Sequence, residues 1–194
     1  NAFTSNDVTC YVEDIPSNEV DNWAKIQADR FMNMTIRGFH TELEAVYEEY
    51  NIYLTDDGDK MINALNAKLF PNHPYGKQTT IGTQEHLKNP SITNIKNYFK
   101  KWYVPNNVAI CMSGDLDPDK TIEIIEKYFA EWKPGDDVTQ PVFEPLTELS
   151  QPKDSTVIGQ EAEQVWVGWR ALQANTLTAK CGSLMEDVLS NGKA

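Results

Sequence analysis

The sequence predicts an α+β fold, with helices packed on one face of a mostly antiparallel sheet. Two observations carry this. The candidate elements run strand, helices, strand, helix, two strands, helix, an alternation too irregular for a doubly wound parallel sheet. No GxGxxG and no P-loop is present, so the signatures of nucleotide-binding α/β folds are missing.

The first element is "NDVTCYVED". Val8, Cys10 and Val12 alternate with Thr9, Tyr11 and Glu13, a period of two that marks a half-buried strand. "NEVDNWAKIQADRFMN" follows with Val20, Trp23, Ile26, Gln27 and Phe31 near a 3.6 period, hence a helix. Thr41 and Glu44 read as a T-x-x-E capping box, which predicts a helix from Glu42 to about Tyr53. "TDDGDK" breaks it, and "DKMINALNAKLF" restarts a helix with Met61, Leu65 and Leu69 on one stripe. "FPNHPYGKQTTIG" has no period and reads as loop. In "SITNIKNYFKKWYVP" Ser91 caps a helix on which Ile92, Ile95, Tyr98, Phe99 and Trp102 pack. "NNVAICMSGD" is a short apolar strand, and Asp117 with Pro118 opens the next helix as N-cap and N1. Residues 133–152 form an extended connector. "STVIG" and "QVWVGWRAL" are strands, and "LTAKCGSLMEDVLSNG" is a final helix stopped by Gly192.

Composition narrows the partners. Among 194 residues the net charge is −12, which disfavours nucleic acid and anionic membranes. No apolar run approaches the roughly 20 residues of a membrane-spanning helix. Cys10, Cys111 and Cys181 form neither a disulfide framework nor a CxxC pattern, and Cys10 and Cys111 read as buried free thiols.

The glutamates of "TELEAVYEEYN" raise the question of chemistry. Glu44 and Glu48 read as a cap and a solvated position. Glu42 and Glu49 are seven apart, on nearly one face with Val46 between them, which turns them toward the interior. A buried carboxylate needs a cation, a metal or close hydrogen-bond donors. The default for such a helix is nonetheless a solvated face. His40, just ahead of that helix, His73 in the proline-rich loop and His86 in a polar turn complete no site. Neither HExxH nor HxxEH occurs, and one glutamate does not hold a catalytic zinc.

Five segments in order resemble the insulinase-like (pitrilysin, M16) zinc metallopeptidases. "NAFTSNDVTCY" is similar to that family's N-A-x-T-S strand with a later T-x-Y, and "ELEAVYEE" to its E-x-x-x-V-x-x-E helix. "HPYG" followed by "IGT" resembles the loop after that helix. "NYFKKWYVPNNVAICMSGDLDPDKTIEIIEKYF" is similar to the Y-x-P-N-N strand and G-D-x-D-P helix, and "QVWVGWRA" continues the register. Leu43 stands where the family usually has Arg.

The resemblance implies the M16, or LuxS/MPP-like, metallohydrolase architecture, incomplete at the N-terminus. It makes residues 1–194 a single partial domain, with the substrate-type strand and glutamate helix in 1–90 and its second half in 91–194. It implies a zinc site in the full-length parent with Glu49 as a ligand and Glu42 as the acid that orients ligands. The zinc would polarise the scissile carbonyl, and a glutamate of the family's HxxEH helix would take the proton from water. The backbone of Asn1, Ala2 and Phe3 would receive an extended peptide as an added strand. The partners implied are a peptide or protein substrate and the remaining M16 domains of the parent. Lacking HxxEH, this chain is expected to be inactive alone and to bind no zinc tightly. The competing expectation is a non-catalytic M16-like half that binds peptides or the active half. Trp166 and Trp169 read as one core and one surface residue, Tyr75 as loop packing, and "GDLDPD" as helix capping rather than a calcium loop.

Overall fold

The computed structural model describes residues 1–139, 141–146, 148–170 and 176–190. It is α+β: eight helices and one two-stranded antiparallel sheet among the described residues. The chain divides into two compact units, residues 1–52 with 79–142 and residues 53–78 with 143–194.

The first unit opens on a hairpin. β1 (Ala2–Thr4) pairs with β2 (Thr9–Tyr11) in the register Ala2 to Tyr11, Phe3 to Cys10, Thr4 to Thr9. After a 3-10 turn at Ser17–Glu19, α1 (Val20–Met32) packs against α7 (Pro118–Phe129). The close approach follows from the residues α1 buries: Val20, Ala24, Gln27 and Ala28, mostly small and at helical spacing. The pair is tied by Asp21, which accepts hydrogen bonds from the Tyr128 hydroxyl at 2.6 Å and Lys127 Nζ at 2.9 Å. Both α7 and α6 (Ile92–Trp102) carry the caps expected of them. Asp117 accepts the Lys120 amide at 3.3 Å, and Ser91 the Asn94 amide at 3.2 Å.

The "VPNN" turn after α6 is a junction. Asn107 Nδ2 donates to Trp102 O at 2.9 Å. Asn106 accepts the Gly135 amide at 3.1 Å and donates to Asp136 O at 3.2 Å. Val104 is buried, and a Cβ on Gly135 would meet its side chain at 2.6 Å. The connector from 133 is therefore held at its start by a glycine and an asparagine.

In the second unit α3 (Asp57–Leu69) packs against α4 (Pro74–Lys77). Met61, Leu65 and Leu69 share a half-buried stripe as the spacing predicts. A Cβ on Gly168 would meet Leu65 at 3.1 Å and Leu69 at 3.3 Å, so the chain around Gly168 runs directly over this stripe. Asp57 is buried at the start of α3. It pairs with Lys60 at 2.8 Å and accepts the backbone amides of Gln160 at 2.6 Å and Glu161 at 2.9 Å. These bonds hold its carboxyl down at about pKa 2, the Lys60 contact contributing most.

Several expectations need correction. α2 spans Phe39–Thr55, so Thr41 lies inside its first turn and no T-x-x-E box forms. Gly38, at φ +60°, starts the helix instead, its carbonyl accepting the Glu42 amide at 3.0 Å. "TDDGDK" interrupts the helices only at Asp56, which caps α3 by accepting the Asp59 amide at 2.8 Å. Pro74–Lys77 forms a helical turn within the predicted loop. Residues 108–113, 155–159 and 164–170 form no strand, because none has a ladder partner among the described residues. Ile158, Val165 and Trp169 are more than four-fifths exposed, so the apolar run that marks them as strands is left uncovered. On α6, Phe99 and Trp102 are half-buried but Ile92, Ile95 and Tyr98 are exposed. Cys111 is exposed, Cys10 half-buried, and Trp166 is exposed along with Trp169. Residues 171–172 and Gly192 lie outside the described residues. α8 covers Leu177–Ser190.

Candidate functional site

The two places the sequence singles out, the glutamate stretch of α2 and the N-terminal strand, both lie in the first unit. On α2 the half-buried stripe is Phe39, Leu43, Val46, Tyr47 and Tyr50, spaced four, three, one and three, one helix face. Glu42 and Glu49 flank Val46 on the edge of that stripe, and both are exposed. The inward orientation expected of them is therefore wrong: Val46 shares its face with Leu43, Tyr47 and Tyr50, and these larger apolar side chains centre the half-buried stripe to one side of the glutamates. Neither carboxylate takes a side-chain hydrogen bond or ion pair among the described residues. They lie two turns apart along one edge of the helix. Glu44 and Glu48 are exposed on another side of the helix. There, with Thr41, they border an open cleft of about 580 Å³ that Leu87 of α5 (Gln84–Lys88) also lines. Gln84 Nε2 donates to Tyr47 Oη across it at 2.8 Å.

The histidines do not join the glutamates. His40 is exposed in the first turn of α2, not in a loop ahead of it. His73 caps α4, its Nδ1 accepting the Tyr75 amide at 3.3 Å, and its ring packs edge-on to Tyr75 and Phe143 at 4.3 and 4.4 Å. His86 is exposed on α5. Among the described residues no three His, Cys, Asp or Glu side chains converge to hold a metal. A catalytic zinc takes three protein ligands and an open position, a set that the described donors do not by themselves assemble.

The hairpin divides its backbone between two tasks. The amino group of Asn1 donates to Val12 O at 2.8 Å and the Val12 amide returns a bond to Asn1 O at 2.8 Å. Ser5 donates to Val8 O at 2.8 Å. Antiparallel alternation then turns Asn1, Phe3 and Ser5 inward to β2, and Ala2 and Thr4 outward. Of the three residues expected to receive a peptide, only Ala2 presents its backbone to the free edge, and its amide already donates to Asn1 Oδ1 at 2.8 Å. Thr4, which the pattern of the motif did not single out, is the second outward residue. Strand period alone would have found it.

What holds the hairpin is β2. The Tyr11 ring meets Phe31 of α1 edge-on at 5.5 Å, and its hydroxyl lies 3.4 Å from that of Tyr103. The Arg30 guanidinium sits 5.3 Å over the Tyr11 ring and pairs with Glu13 at 3.2 Å. Glu13 also accepts Trp23 Nε1 and Gln27 Nε2, both at 2.6 Å. Burial, and then the Tyr103 hydroxyl, push the Tyr11 phenol up to about 12.

Known proteins place the chain. The uncharacterized zinc protease YmxG of Bacillus subtilis is 28% identical over 135 residues, covering 69% of this chain and 32% of that protein. The probable mitochondrial-processing peptidase subunit beta of Schizosaccharomyces pombe is 27% identical over 142 residues, 70% of this chain and 30% of its own. Zinc protease PqqE of Helicobacter pylori is 27% identical over 147 residues, 73% and 32%. The chain thus spans about a third of the length of the curated relatives it matches. Residues 91–194, just over half of the chain, match the family described as "Peptidase M16 inactive domain", a stretch that contains neither Glu42 nor Glu49. The chain belongs to the peptidase M16 family.

Proposed function

We propose that this chain is part of a zinc-dependent metalloendopeptidase that hydrolyses peptides. The observation that carries the proposal is the pair Glu42 and Glu49, two exposed carboxylates on one edge of α2, free of ion pairs among the described residues. The names of the relatives, zinc proteases and a processing-peptidase subunit, support the reaction class. In this reading Glu49 supplies one zinc ligand and Glu42 orients the ligand set by hydrogen bonding to it. The two histidines and the general base come from an HxxEH helix, which the 194 residues do not contain. The bound zinc supplies electrophilic activation of a carbonyl and of water. The chain by itself is inactive and holds no zinc tightly. An extended peptide adds to the β1 edge, at the outward backbone of Ala2 and Thr4. The strand-like segments 108–113, 155–159 and 164–170 contribute to a larger antiparallel sheet, with helices on one face, in the parent protein. The remaining M16 domains of that parent are the partners.

Glu49→Gln in the full-length parent tests the assignment. Loss of stoichiometric zinc together with peptidase activity supports it, and retention of both overturns it.

A second reading is a non-catalytic M16 half that binds peptides or an active half. The description of the domain matched by residues 91–194, an inactive one, favours it. In that case Glu49→Gln leaves activity and zinc unchanged, while removal of β1 weakens peptide binding or pairing.

A further inference from the structure

All three residues of β1 are exposed, so among the described residues no contact layer of its own fixes it. Its position is inherited through the ladder from β2, and β2 is held by side chains at its far end. Tyr11 lies directly across from Ala2, in the closer, non-hydrogen-bonded kind of pair. The same ring is packed against Phe31, hydroxyl-paired with Tyr103 and covered by Arg30. Phe31 is in turn stacked on Tyr103 at 6.1 Å and tilted against Trp132 at 5.6 Å, so the anchor is an aromatic block rather than one contact. Two residues further on, Glu13 gathers Arg30, Trp23 and Gln27, which stops the strand end from pivoting.

We infer that Tyr11 is a positioning residue for peptide capture. Docked on Phe31 and Tyr103, it sets where the outward backbone of Ala2 and Thr4 is presented. This rests on the reading of the β1 edge as the peptide-accepting strand. Tyr11 touches no peptide in this arrangement; it acts through the cross-strand pair with Ala2. Strand addition needs several main-chain hydrogen bonds aligned at once, so a tilt of the hairpin costs affinity without unfolding the chain.

The test is amide NMR of the 194-residue chain titrated with a blocked heptapeptide of alternating valine and threonine. In the unsubstituted chain the Thr4 amide shifts on titration. Tyr11→Leu, which keeps an apolar side chain but removes the ring, weakens binding at least fivefold, while Tyr11→Phe stays within about twofold. Phe31→Leu, which removes the docking ring without touching the hairpin, weakens binding in the same direction. Protection of the Val12 amide, bonded to Asn1 O, reports in every variant that the hairpin persists. Val20→Ala, a core truncation remote from the hairpin, leaves binding unchanged. Unaltered affinity in both Tyr11→Leu and Phe31→Leu overturns the inference, as does an equal loss in Val20→Ala. A Thr4 amide that never shifts in the unsubstituted chain defeats the edge reading itself, a result visible before any variant is compared.

Discussion

The Asp57 carboxylate occupies the space that a Cβ on Gly159 would need, while it accepts the amides of the next two residues, Gln160 and Glu161. Segment 159–161 is therefore fastened to the start of α3 by a glycine that must stay bare and an acid that must stay ionised. Gly159→Ala forces the two apart, an overpacking that costs about 1–3 kcal/mol. The expected result is a lower midpoint in urea unfolding and faster proteolytic nicking near residue 160. An unchanged midpoint would show that the segment moves aside freely.

Protonation should loosen the same fastening. The Asp57 carboxyl is held at about 2 against an ordinary value of 3.8, so its contribution is fully present above about pH 4 and disappears as the pH falls through 2. Unfolding followed by denaturant at pH 5, 3 and 2 should show a decline in the parent chain that Asp57→Asn lacks. Tyr11 works in the opposite sense. Its phenol is raised to about 12, so its contribution persists below pH 10 and is lost as the pH climbs through 12, an alkaline decline that Tyr11→Phe abolishes.

The helix caps give a separate check on local structure. Asp117→Ala and Ser91→Ala each remove an N-cap acceptor, at a typical cost of about 1 kcal/mol, or about 2–4 °C in thermal midpoint for a chain this size. Thr41→Ala, at the position that looks like a cap, should change the stability by less than about 0.5 kcal/mol, since Gly38 starts α2.

In the full-length parent, substitution along α2 should separate one face from the other. Glu49→Gln is expected to lower zinc affinity and activity by at least about 100-fold. Glu42→Gln should lower them by about 10- to 100-fold, as for carboxylates that hydrogen-bond to metal ligands. Glu44→Gln and Glu48→Gln should leave both within about twofold. Zinc content by atomic absorption and turnover of a fluorogenic peptide measure the four variants side by side.

Helices were readable because their signals are local: Asp117–Pro118 and Ser91 each satisfy amides three residues away, and the Met61, Leu65, Leu69 stripe needs only one neighbouring segment. The α2 start was misplaced because Thr41 and Glu44 spell a capping box while Gly38, three residues earlier, already turns the chain at positive φ. The glutamates were misplaced for a different reason: Val46 lies between Glu42 and Glu49, but Leu43, Tyr47 and Tyr50 lie on its other side and draw the half-buried face toward themselves. Strands were less legible. Val165 and Val167 have the composition of a strand, but a strand exists only with a partner, and composition does not name one. The family was legible from ordered motifs, and "VPNN" has a physical task in this chain: Asn107 binds the backbone just before the turn, at Trp102, and Asn106 binds the connector at Gly135.

The shortness of β1 sets a ceiling on grip. Its outward groups are the Ala2 carbonyl and the Thr4 amide and carbonyl, because the Ala2 amide is spent on Asn1 Oδ1. Three main-chain bonds at about 1 kcal/mol each come to about 3 kcal/mol, a dissociation constant of several millimolar. An edge of this length works as a guide rail rather than a clamp: it aligns whatever extended chain is brought to it and lets go just as readily, leaving retention to contacts made elsewhere along the peptide.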